Sequence, residues 1–476
     1  RRSPRGKGRK QAAGVRFGQL PEGGTPAINS PRMERDLSRR PISILCLILC
    51  TALLWGAWRL TETTESAGPL PDLQFFPFRT RRTPATPPRD AQKRQPAAAR
   101  LPAEKMPIIR VGLLPDPARS VTIEVSEPFV VRPPGSDKVL YQSAPIGPTT
   151  VLASRAGLKI GKRELAAAQV EIIPAKSPAV WVEGHEYRGT VRLHRQGSGA
   201  VTAVNVVPLE DYIASVVDSE MPAAFPDEAR KAQAIVARTY ALYQKQVAEP
   251  AAIADLFAST RSQKYLGYQY REGGRLLAGE SEAGRKIAAA TRGKVCHYRD
   301  RIFCTYYCAV CGGSTVKGTE VFADAAPPLV SVKCDYCREA RLYRWTAEIS
   351  KTDMQKELAP WFREKGQNPG PLKTVSLART KPAAGTLPEF DVRTGRQSVR
   401  ISGIELRQLL VGRGLYSPRF TIEDKGTLFE IAGSGHGHGV GLCQWGARGQ
   451  ALEGRTCEQI LKYYYPGATI ATRVWK

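Results

Sequence analysis

An uncharged run at residues 42–58 limits how this chain can be arranged more than any other part of the sequence. The run reads "ISILCLILCTALLWGAW", ends in Trp55 and Trp58, and directly follows the basic pair Arg39 and Arg40 with one residue between. As a helix it would extend about 26 Å, which is short but sufficient to span a membrane. The sequence therefore predicts one membrane-inserting segment.

Two interpretations of this run are open. It is either a cleaved signal peptide with a long basic leader or an uncleaved single-pass anchor with its amino end in the cytoplasm. We favour the anchor, because no clear small-x-small cleavage site follows the run. In both cases we expect the part of the chain after residue 60 to lie outside the cytoplasm, in the periplasm or cell envelope.

The segments on either side of the run are basic and poor in apolar periodicity. Residues 1–41 are predicted to be a disordered leader, and residues 59–106 a Pro, Arg and Thr-rich linker that holds the body off the membrane. Residues 1–110 contain 21 Lys and Arg but 8 Asp and Glu, and so carry +13 of the net charge of +26. For an exported chain, this positive charge is better suited to binding anionic cell-surface polymers than to binding nucleic acid. The alternative is that the charge only keeps the protein soluble.

The remaining sequence, residues 107–472, predicts a single domain of α+β class. Short β-type runs such as "SVTIEV" and "AVTAVNVVP", separated by Gly and Pro, make 107–207 a β-rich amino-terminal part. Two amphipathic helices then open a mixed α/β body over 208–472, in which we find no internal repeat.

One carboxylate stands out in the first of these helices, which is predicted to begin at Pro208. Glu220 lies on the apolar stripe of this helix, immediately before Met221 and Pro222. An acid on an inward face is a salt-bridge partner, a cap, or a chemically useful group whose pKa is raised by desolvation. The stripe consists of Leu209, Ile213, Val216 and Val217.

The second helix is predicted to open at Pro226 and to carry two cations on one side. Lys231 and Arg238 are seven residues apart, so both could reach a neighbouring acid or a polyanionic sugar. A solvated face is the alternative.

Four cysteines have the spacing of a metal site. Cys308-x-x-Cys311 and Cys334-x-x-Cys337 are separated by 22 residues, as in a structural zinc site with four thiolates. Four protein ligands would leave no open position, so such a zinc ion would be structural. Disulfides are the alternative in an exported protein, and Cys296, His297 and Cys304 could replace individual ligands.

Several motifs in this order resemble the stage II sporulation protein D and amidase-enhancer family. The first is "PLEDYIASVVDSEMP" followed by "ARKAQAIVARTY", which resembles the family's P-L-E-x-Y-x-x-x-V-x-x-E-M-P and A-x-K-A-Q-A-x-A-A-R-T-Y. Further matches are "SQKYLGY" at 262–268, "CGGSTV" at 311–316, "GHGVGLCQWGA" at 437–447 and "YYPG" at 464–467. The resemblance extends over about residues 107–472.

The resemblance implies a peptidoglycan lytic transglycosylase in which Glu220, as the glutamate of E-M-P, is the single acid and base. It also implies a zinc ion bound near the active site through Cys and His, with no organic cofactor. Two departures from the family pattern are Cys443, where Ser is usual, and an additional His436. Around the acid we expect these residues to bind the glycan strand: Lys231, Gln233, Arg238, Ser262, Gln263, Tyr265, His438, Gln444 and Trp445.

Two other functions are compatible with the sequence. One is a non-catalytic amidase enhancer that binds glycan strands and stimulates a partner cell-wall amidase. The other is a redox or zinc-scaffold protein built around the cysteines.

Overall fold

The structure, a computed structural model, describes residues 105–197, 199–378 and 382–475. The predicted leader (1–41), the apolar run (42–58) and the linker up to residue 104 lie outside these ranges. Within them, no helix is both long enough and apolar enough to cross a membrane. The described residues form a strand-rich mixed fold with seven α-helices, which agrees with the predicted α+β class.

The regular secondary structure described between residues 108 and 208 consists of β-strands. Alternation of apolar and polar residues, as in Ser120–Val125, buries one face of each strand and exposes the other. The strands in chain order are β1 (Ile108–Gly112), β2 (Ser120–Val125), β3 (Phe129–Arg132), β4 (Tyr141–Ser143), β5 (Ile146–Ala153), β6 (Leu158–Ile160), β7 (Arg163–Leu165), β8 (Gln169–Pro174), β9 (Val180–Val182), β10 (His185–Tyr187), β11 (Thr190–Arg195) and β12 (Val201–Pro208).

These strands and three later ones, β13 (Leu256–Phe257), β14 (Gln269–Glu272) and β15 (Arg275–Ala278), build two sheets. The first has the order β13-β1-β12-β11-β8-β3-β4 and the second the order β15-β14-β10-β9-β2-β5-β6-β7. All pairings are antiparallel except that of β1 with β13. One hydrophobic core is shared by both sheets and by the helix that follows β12.

Three helices follow: α1 (Leu209–Glu220), α2 (Asp227–Val247) and α3 (Glu282–Ala290). Helix α1 begins directly after β12, because Pro208 fixes the backbone at the junction and lacks an N–H that would need a partner. Helix α2 is buried along most of its length, from Ala229 to Leu242, and packs against α1, α3 and the carboxyl-terminal helices. This central position explains why several of its polar side chains are inside the protein.

A second core surrounds the cysteines and the carboxyl-terminal helices α6 (Gln444–Leu452) and α7 (Cys457–Tyr464). Short pairings connect its segments, among them the parallel pair of β18 (Tyr307–Cys308) and β25 (Leu442–Cys443). The strands here are β16 (Lys294–Tyr298), β17 (Arg301–Ile302), β18 (Tyr307–Cys308), β25 (Leu442–Cys443) and β26 (Thr469–Thr472).

A third hydrophobic core is formed by a stretch of the sequence that interrupts the cysteine-rich region. Residues 345–433 form two three-stranded sheets and two helices around their own apolar cluster, which the sequence analysis did not separate from the rest. The elements are β19 (Trp345–Ser350), α4 (Lys351–Glu364), β20 (Leu372–Leu377), β21 (Glu389–Thr394), β22 (Ser398–Ser402), α5 (Gly403–Leu410), β23 (Phe420–Asp424) and β24 (Leu428–Gly433).

Candidate active site

Glu220 is the last residue of α1, at the point where the chain becomes extended. Met221 has φ −128° and ψ 132°, and the following Pro222 disfavours helical geometry for the residue before it. The carbonyl end of a helix carries partial negative charge, which disfavours a further negative charge there. The local sequence therefore places an acid where its ionised form is poorly stabilised.

Three donors from distant segments reach the Glu220 carboxyl group. Oε1 accepts hydrogen bonds from the backbone N–H of Lys264 at 2.7 Å and from the hydroxyl of Tyr307 at 2.9 Å. Oε2 lies 3.4 Å from the Nε2 amide of Gln444. Burial raises the pKa of Glu220, and these hydrogen bonds only partly offset that effect. The carboxyl group therefore keeps its proton to higher pH than an exposed glutamate does.

The Tyr307 hydroxyl is itself oriented by a chain of buried hydrogen bonds. Tyr212 donates its hydroxyl proton to Gln263 Oε1 at 3.0 Å, which fixes the orientation of the Gln263 amide. Gln263 Nε2 then donates to the Tyr307 oxygen at 3.2 Å. Because that oxygen already accepts a hydrogen bond, its own proton points towards Glu220. Burial also raises the pKa of Tyr307 well above its usual range, so the hydroxyl stays a donor.

The other carboxylates near α1 are engaged elsewhere. Asp211 is partly buried and also has a raised pKa, but it lies nine residues before Glu220, about 14 Å away along the helix axis. Three more carboxylates form ion pairs: Glu210 with Arg238, Asp218 with Arg230, and Glu228 with Lys231. In the part of the chain that the structure describes, Glu220 forms no such pair, which distinguishes it from these neighbours.

Among the predicted binding residues, Gln263 and Gln444 lie in the Glu220 cluster, and Gln233 lies directly behind it. Gln233 is fully buried, and its Oε1 is 3.5 Å from Gln444 Nε2. Its own Nε2 has no hydrogen-bond partner among the described residues. Gln233 therefore supports Gln444 and has no surface of its own to offer to a sugar.

His438 and Trp445 lie on the same terminal segment as Gln444, without a direct contact to Glu220. The Trp445 ring is partly exposed and packs edge-on against Phe225 at 5.4 Å. The ring of His438 lies edge-on to Phe322 at 5.0 Å. Burial lowers the pKa of His438 to about 4, so its imidazole is neutral at physiological pH.

Arg238 and Tyr265 are buried and bind other residues of the protein, whereas the sequence predicted that they bind the glycan strand. Arg238 is fully buried and binds Glu210 through two hydrogen bonds of 3.0 and 2.7 Å, because the second helix lies inside the protein and not at its surface. Tyr265 is also buried, and its hydroxyl donates to Asn205 Oδ1 at 2.8 Å. Neither side chain has a surface from which to reach a polymer.

Ser262 and Lys231 likewise bind elements of the fold. Ser262 Oγ accepts the N–H of Phe257 at 3.1 Å, which closes the turn before the Glu220 contact at Lys264. Lys231 is partly exposed and pairs with Glu228 at 2.8 Å. Both residues are partly exposed, so each keeps some surface for a further partner.

Two groups at the site were missed by the sequence analysis. Lys264 contributes its backbone N–H, which leaves no signal in the side-chain sequence. Tyr307 lies in the two-residue strand β18, three residues before Val310, and was read only as part of the cysteine-rich stretch. Its position four residues before the C-G-G-x-T motif is the one signal that could have drawn attention to it.

Four buried cysteines form a compact group beside the site. Their sulfur atoms, from Cys311, Cys334, Cys337 and Cys443, all lie within 4.8 Å of one another. Tetrahedral zinc with four thiolates needs sulfur separations of about 3.8 Å, and those of Cys311 and Cys337 are 3.6 Å apart. Cys443 Sγ also accepts the backbone N–H groups of Cys311 and Gly446, at 3.2 and 3.3 Å, as a thiolate ligand would. The group thus has the composition and size of a metal site.

This group differs in one member from the ligand set that the sequence predicts. Cys308 is buried nearby, but its place among the four is taken by Cys443. The two residues are register partners across the parallel pair of β18 and β25, a pairing that brings together segments far apart in the sequence. The C-x-x-C spacing could not indicate that Cys443 belongs to this group.

Comparisons with known proteins agree with the resemblance found in the motifs. A family model described as stage II sporulation protein matches residues 197–298, and one described as a domain of unknown function matches residues 327–441. An uncharacterized protein from Brachyspira hyodysenteriae is 30% identical over 355 residues, which covers 73% of this chain and 90% of the relative.

Two relatives with descriptive names point the same way. The stage II sporulation protein D of Bacillus amyloliquefaciens is 30% identical over 283 residues, covering 56% of this chain and 76% of the relative. The amidase enhancer of Bacillus subtilis is 26% identical over 341 residues, covering 62% of this chain and 45% of the relative. With its ordered motifs and these matches, the chain belongs to the stage II sporulation protein D family.

Proposed function

We propose that this protein cleaves the glycan strands of peptidoglycan by a lytic transglycosylase reaction, with Glu220 as the only acid and base. The observation that carries the proposal is the environment of Glu220. Its carboxyl group lies at a helix carbonyl end, has a raised pKa, and is contacted by neutral donors. Such a group is suited to give up a proton and take it back near neutral pH.

One carboxyl group is enough for this reaction, because the substrate supplies the nucleophile. Glu220 donates its proton to the glycosidic oxygen as the bond from that oxygen to the anomeric carbon breaks. The 6-hydroxyl of the same muramic acid attacks the anomeric carbon, and the Glu220 carboxylate takes the hydroxyl proton. The products are a free 4-hydroxyl and a 1,6-anhydro ring, and no water is consumed. An intramolecular nucleophile also lowers the entropic cost of the step.

The hydrogen bonds indicate which oxygen transfers the proton. Oε1 accepts two hydrogen bonds, from Lys264 and Tyr307, and has no further lone pair for a proton. The proton therefore resides on Oε2, where the Gln444 amide at 3.4 Å is close enough to bind the carboxylate once the proton has left.

We infer that the four cysteines bind zinc. The donor set of Cys311, Cys334, Cys337 and Cys443 matches a tetrahedral thiolate site, and with four protein ligands the ion would have a structural role. A bound zinc ion would cross-link the segments that carry the four cysteines and would take no part in the reaction. Because Cys443 directly precedes Gln444, the site would hold the segment that reaches Glu220.

Peptidoglycan lies outside the cytoplasm. This function therefore requires residues 107–472 to lie outside the cytoplasm as well. The apolar run at 42–58 would provide a membrane anchor for it, with the basic leader on the cytoplasmic side.

Incubation of the purified protein with glycan strands that lack stem peptides tests the proposal. We expect products with 1,6-anhydro-muramic acid ends, detected by mass spectrometry, and a loss of about 100- to 10,000-fold in rate for Glu220→Gln. Glu282→Gln is the matched control, because Glu282 is an exposed acid paired with Lys286 on α3. Absence of anhydro products from the unmutated protein would contradict the proposal.

A second candidate is favoured by the similarity to the amidase enhancer of Bacillus subtilis. In that role the protein would bind glycan strands and stimulate a cell-wall amidase without cleaving them. Stimulation of a purified amidase that persists in Glu220→Gln, together with no anhydro product from the unmutated chain, would favour it over the enzyme.

A further inference from the structure

Lys264 is the charged member of the three residues described above as contacting the Glu220 carboxyl group. It makes this contact through its backbone N–H, 2.7 Å from Oε1, whereas Tyr307 and Gln444 use their side chains. Its ammonium group is therefore left over. No residue that the structure describes forms an ion pair with this ammonium group or accepts a hydrogen bond from it, and Lys264 is exposed.

The two neighbours of Lys264 in the sequence fix its position beside the acid. Gln263 and Tyr265 are both buried, whereas Lys264 between them is exposed. Gln263 is hydrogen-bonded to Tyr307, and Tyr265 to Asn205. Since both flanking side chains are anchored inside the protein, the Lys264 side chain emerges on the solvent side, where its own N–H meets the acid. The segment that orients the carboxyl group thus also places a cation next to it.

This cation acts on Glu220 through space without pairing with it. Its charge is one of the influences that lower the pKa of Glu220, but burial outweighs them and the pKa stays raised. The acids nearest to Glu220 in the sequence are already paired with other cations: Glu210, Asp218 and Glu228. A fixed positive charge beside a proton donor, with no counter-charge from the protein, is suited to an anionic group of the substrate.

The position of such an anion differs between the two registers that a peptidoglycan strand can adopt. Its two sugars alternate, and only muramic acid carries a lactyl group, whose carboxylate is free and ionised when no stem peptide is attached. An anhydro-muramic acid end forms only when muramic acid supplies the anomeric carbon, so a strand displaced by one sugar presents the wrong bond to Glu220. A cation fixed at the acid favours one register by attracting the carboxylate.

We propose that the Lys264 ammonium group binds the lactyl carboxylate of the muramic acid residue whose bond Glu220 cleaves, and so sets the register of the strand. This inference rests on the proposed function, because it takes a peptide-free peptidoglycan strand as the ligand. An ammonium group binds a carboxylate as a compact point charge on a flexible stem, which suits an anion carried on a rotatable lactyl arm.

The test measures binding in a Glu220→Gln background, so that no strand is cleaved. The probes are glycan strands without peptides and chito-oligosaccharides of equal length, which lack the lactyl group. We expect Lys264→Met to weaken binding of the peptide-free strands about fivefold, and less at high salt, with no change for the chito-oligosaccharides. Lys264→Arg should keep most of the affinity. Lys159→Met is the matched control, because Lys159 on β6 is also an exposed lysine between two buried residues.

Four outcomes would overturn the proposal: an equal loss for both probes, no loss for either, the same loss in Lys159→Met, or no binding of peptide-free strands. A second measurement leaves Lys264 intact and reduces the carboxylates of the peptide-free strands to alcohols. These strands should bind about fivefold more weakly than untreated ones, and an unchanged affinity would also contradict the proposal.

Cleavage by the unmutated protein is a separate measurement, so the two proposals can fail independently. Binding that depends on Lys264, without any anhydro product, would retain the carboxylate contact and remove the proposed reaction. Cleavage together with binding that does not depend on Lys264 would retain the reaction and remove this contact.

Discussion

The carboxyl group of Glu220 is held by donors that carry no formal charge: a backbone amide, a tyrosine hydroxyl and a side-chain amide. An arginine or lysine in their place would lower the pKa of Glu220 and favour its ionised form. Neutral donors orient the group and still permit it to carry a proton. The direct consequence is that each donor adjusts the pKa in a predictable direction.

Tyr307→Phe tests this adjustment. The Tyr307 hydroxyl stabilises the carboxylate and so lowers the pKa of Glu220, against the larger effect of burial. Its removal should raise that pKa, so the limb of the kcat/KM profile at high pH, where the acid loses its proton, should move to higher pH. We also expect a rate about tenfold lower at neutral pH, because Oε1 loses one of its two hydrogen bonds.

The control for this variant is Tyr298→Phe, because Tyr298 lies on β16 outside the Glu220 cluster. A pH profile of Tyr307→Phe that is unshifted, or shifted to lower pH, would contradict the assigned role.

Helix α6 connects the cysteine group to the acid. Its amino-terminal cap is Cys443, whose sulfur accepts the N–H of Gly446, and its first residue is Gln444. A side chain at Gly446 would place its Cβ 2.7 Å from Cys334 Sγ, so only glycine lets the helix approach the sulfur atoms. The start of one helix thus belongs both to the cysteine group and to the surroundings of the acid.

Cys443, and not Cys308, belongs to the group of four neighbouring sulfur atoms, so the effects of mutating these two cysteines can be compared directly. We expect Cys443→Ser to reduce the zinc content per chain to a small fraction of the unmutated value and Cys308→Ser to leave it nearly unchanged. Metal content is measured by plasma mass spectrometry of the purified full chain. Equal losses in the two variants, or a loss only in Cys308→Ser, would show that the ligand set is different.

The stability of the whole fold should depend on the same acid that is proposed to act on the substrate. The pKa of Glu220 is raised in the folded state, so its favourable contribution is present below the unfolded pKa and is lost as the pH rises through the folded value. Above the folded pKa the fold therefore contains a poorly stabilised carboxylate, which Glu220→Gln removes.

We expect Glu220→Gln to unfold at higher urea concentration than the unmutated protein at pH 8, by on the order of 1 kcal/mol in the free energy of unfolding. The difference should shrink as the pH falls to about 4, where both proteins carry a neutral group at this position. Glu282→Gln should show no such pH-dependent gain. A stability difference that does not change with pH would contradict the raised pKa.

The sequence was sufficient to predict the α+β class and to single out Glu220. It said less about the residues that surround Glu220. Glu220 could be found because an apolar stripe and a proline are local features. Cys443 could not, because a single cysteine without a nearby partner has no spacing to interpret. Arg238 was expected to bind the glycan strand, because its partner Glu210 lies on another helix, 28 residues earlier, and no local pattern indicates the pair. The core of residues 345–433 was missed since its strands are as short as those around it.

The hydrogen bond between Glu220 and Gln444 joins residues 224 positions apart. During synthesis, the acid therefore lacks this neighbour until the ribosome has added the 224 residues that lead to it. A nascent molecule that carries Glu220 but not yet Gln444 holds an incomplete cluster. Synthesis as far as Gln444 is thus a physical condition for the Glu220 cluster to assemble.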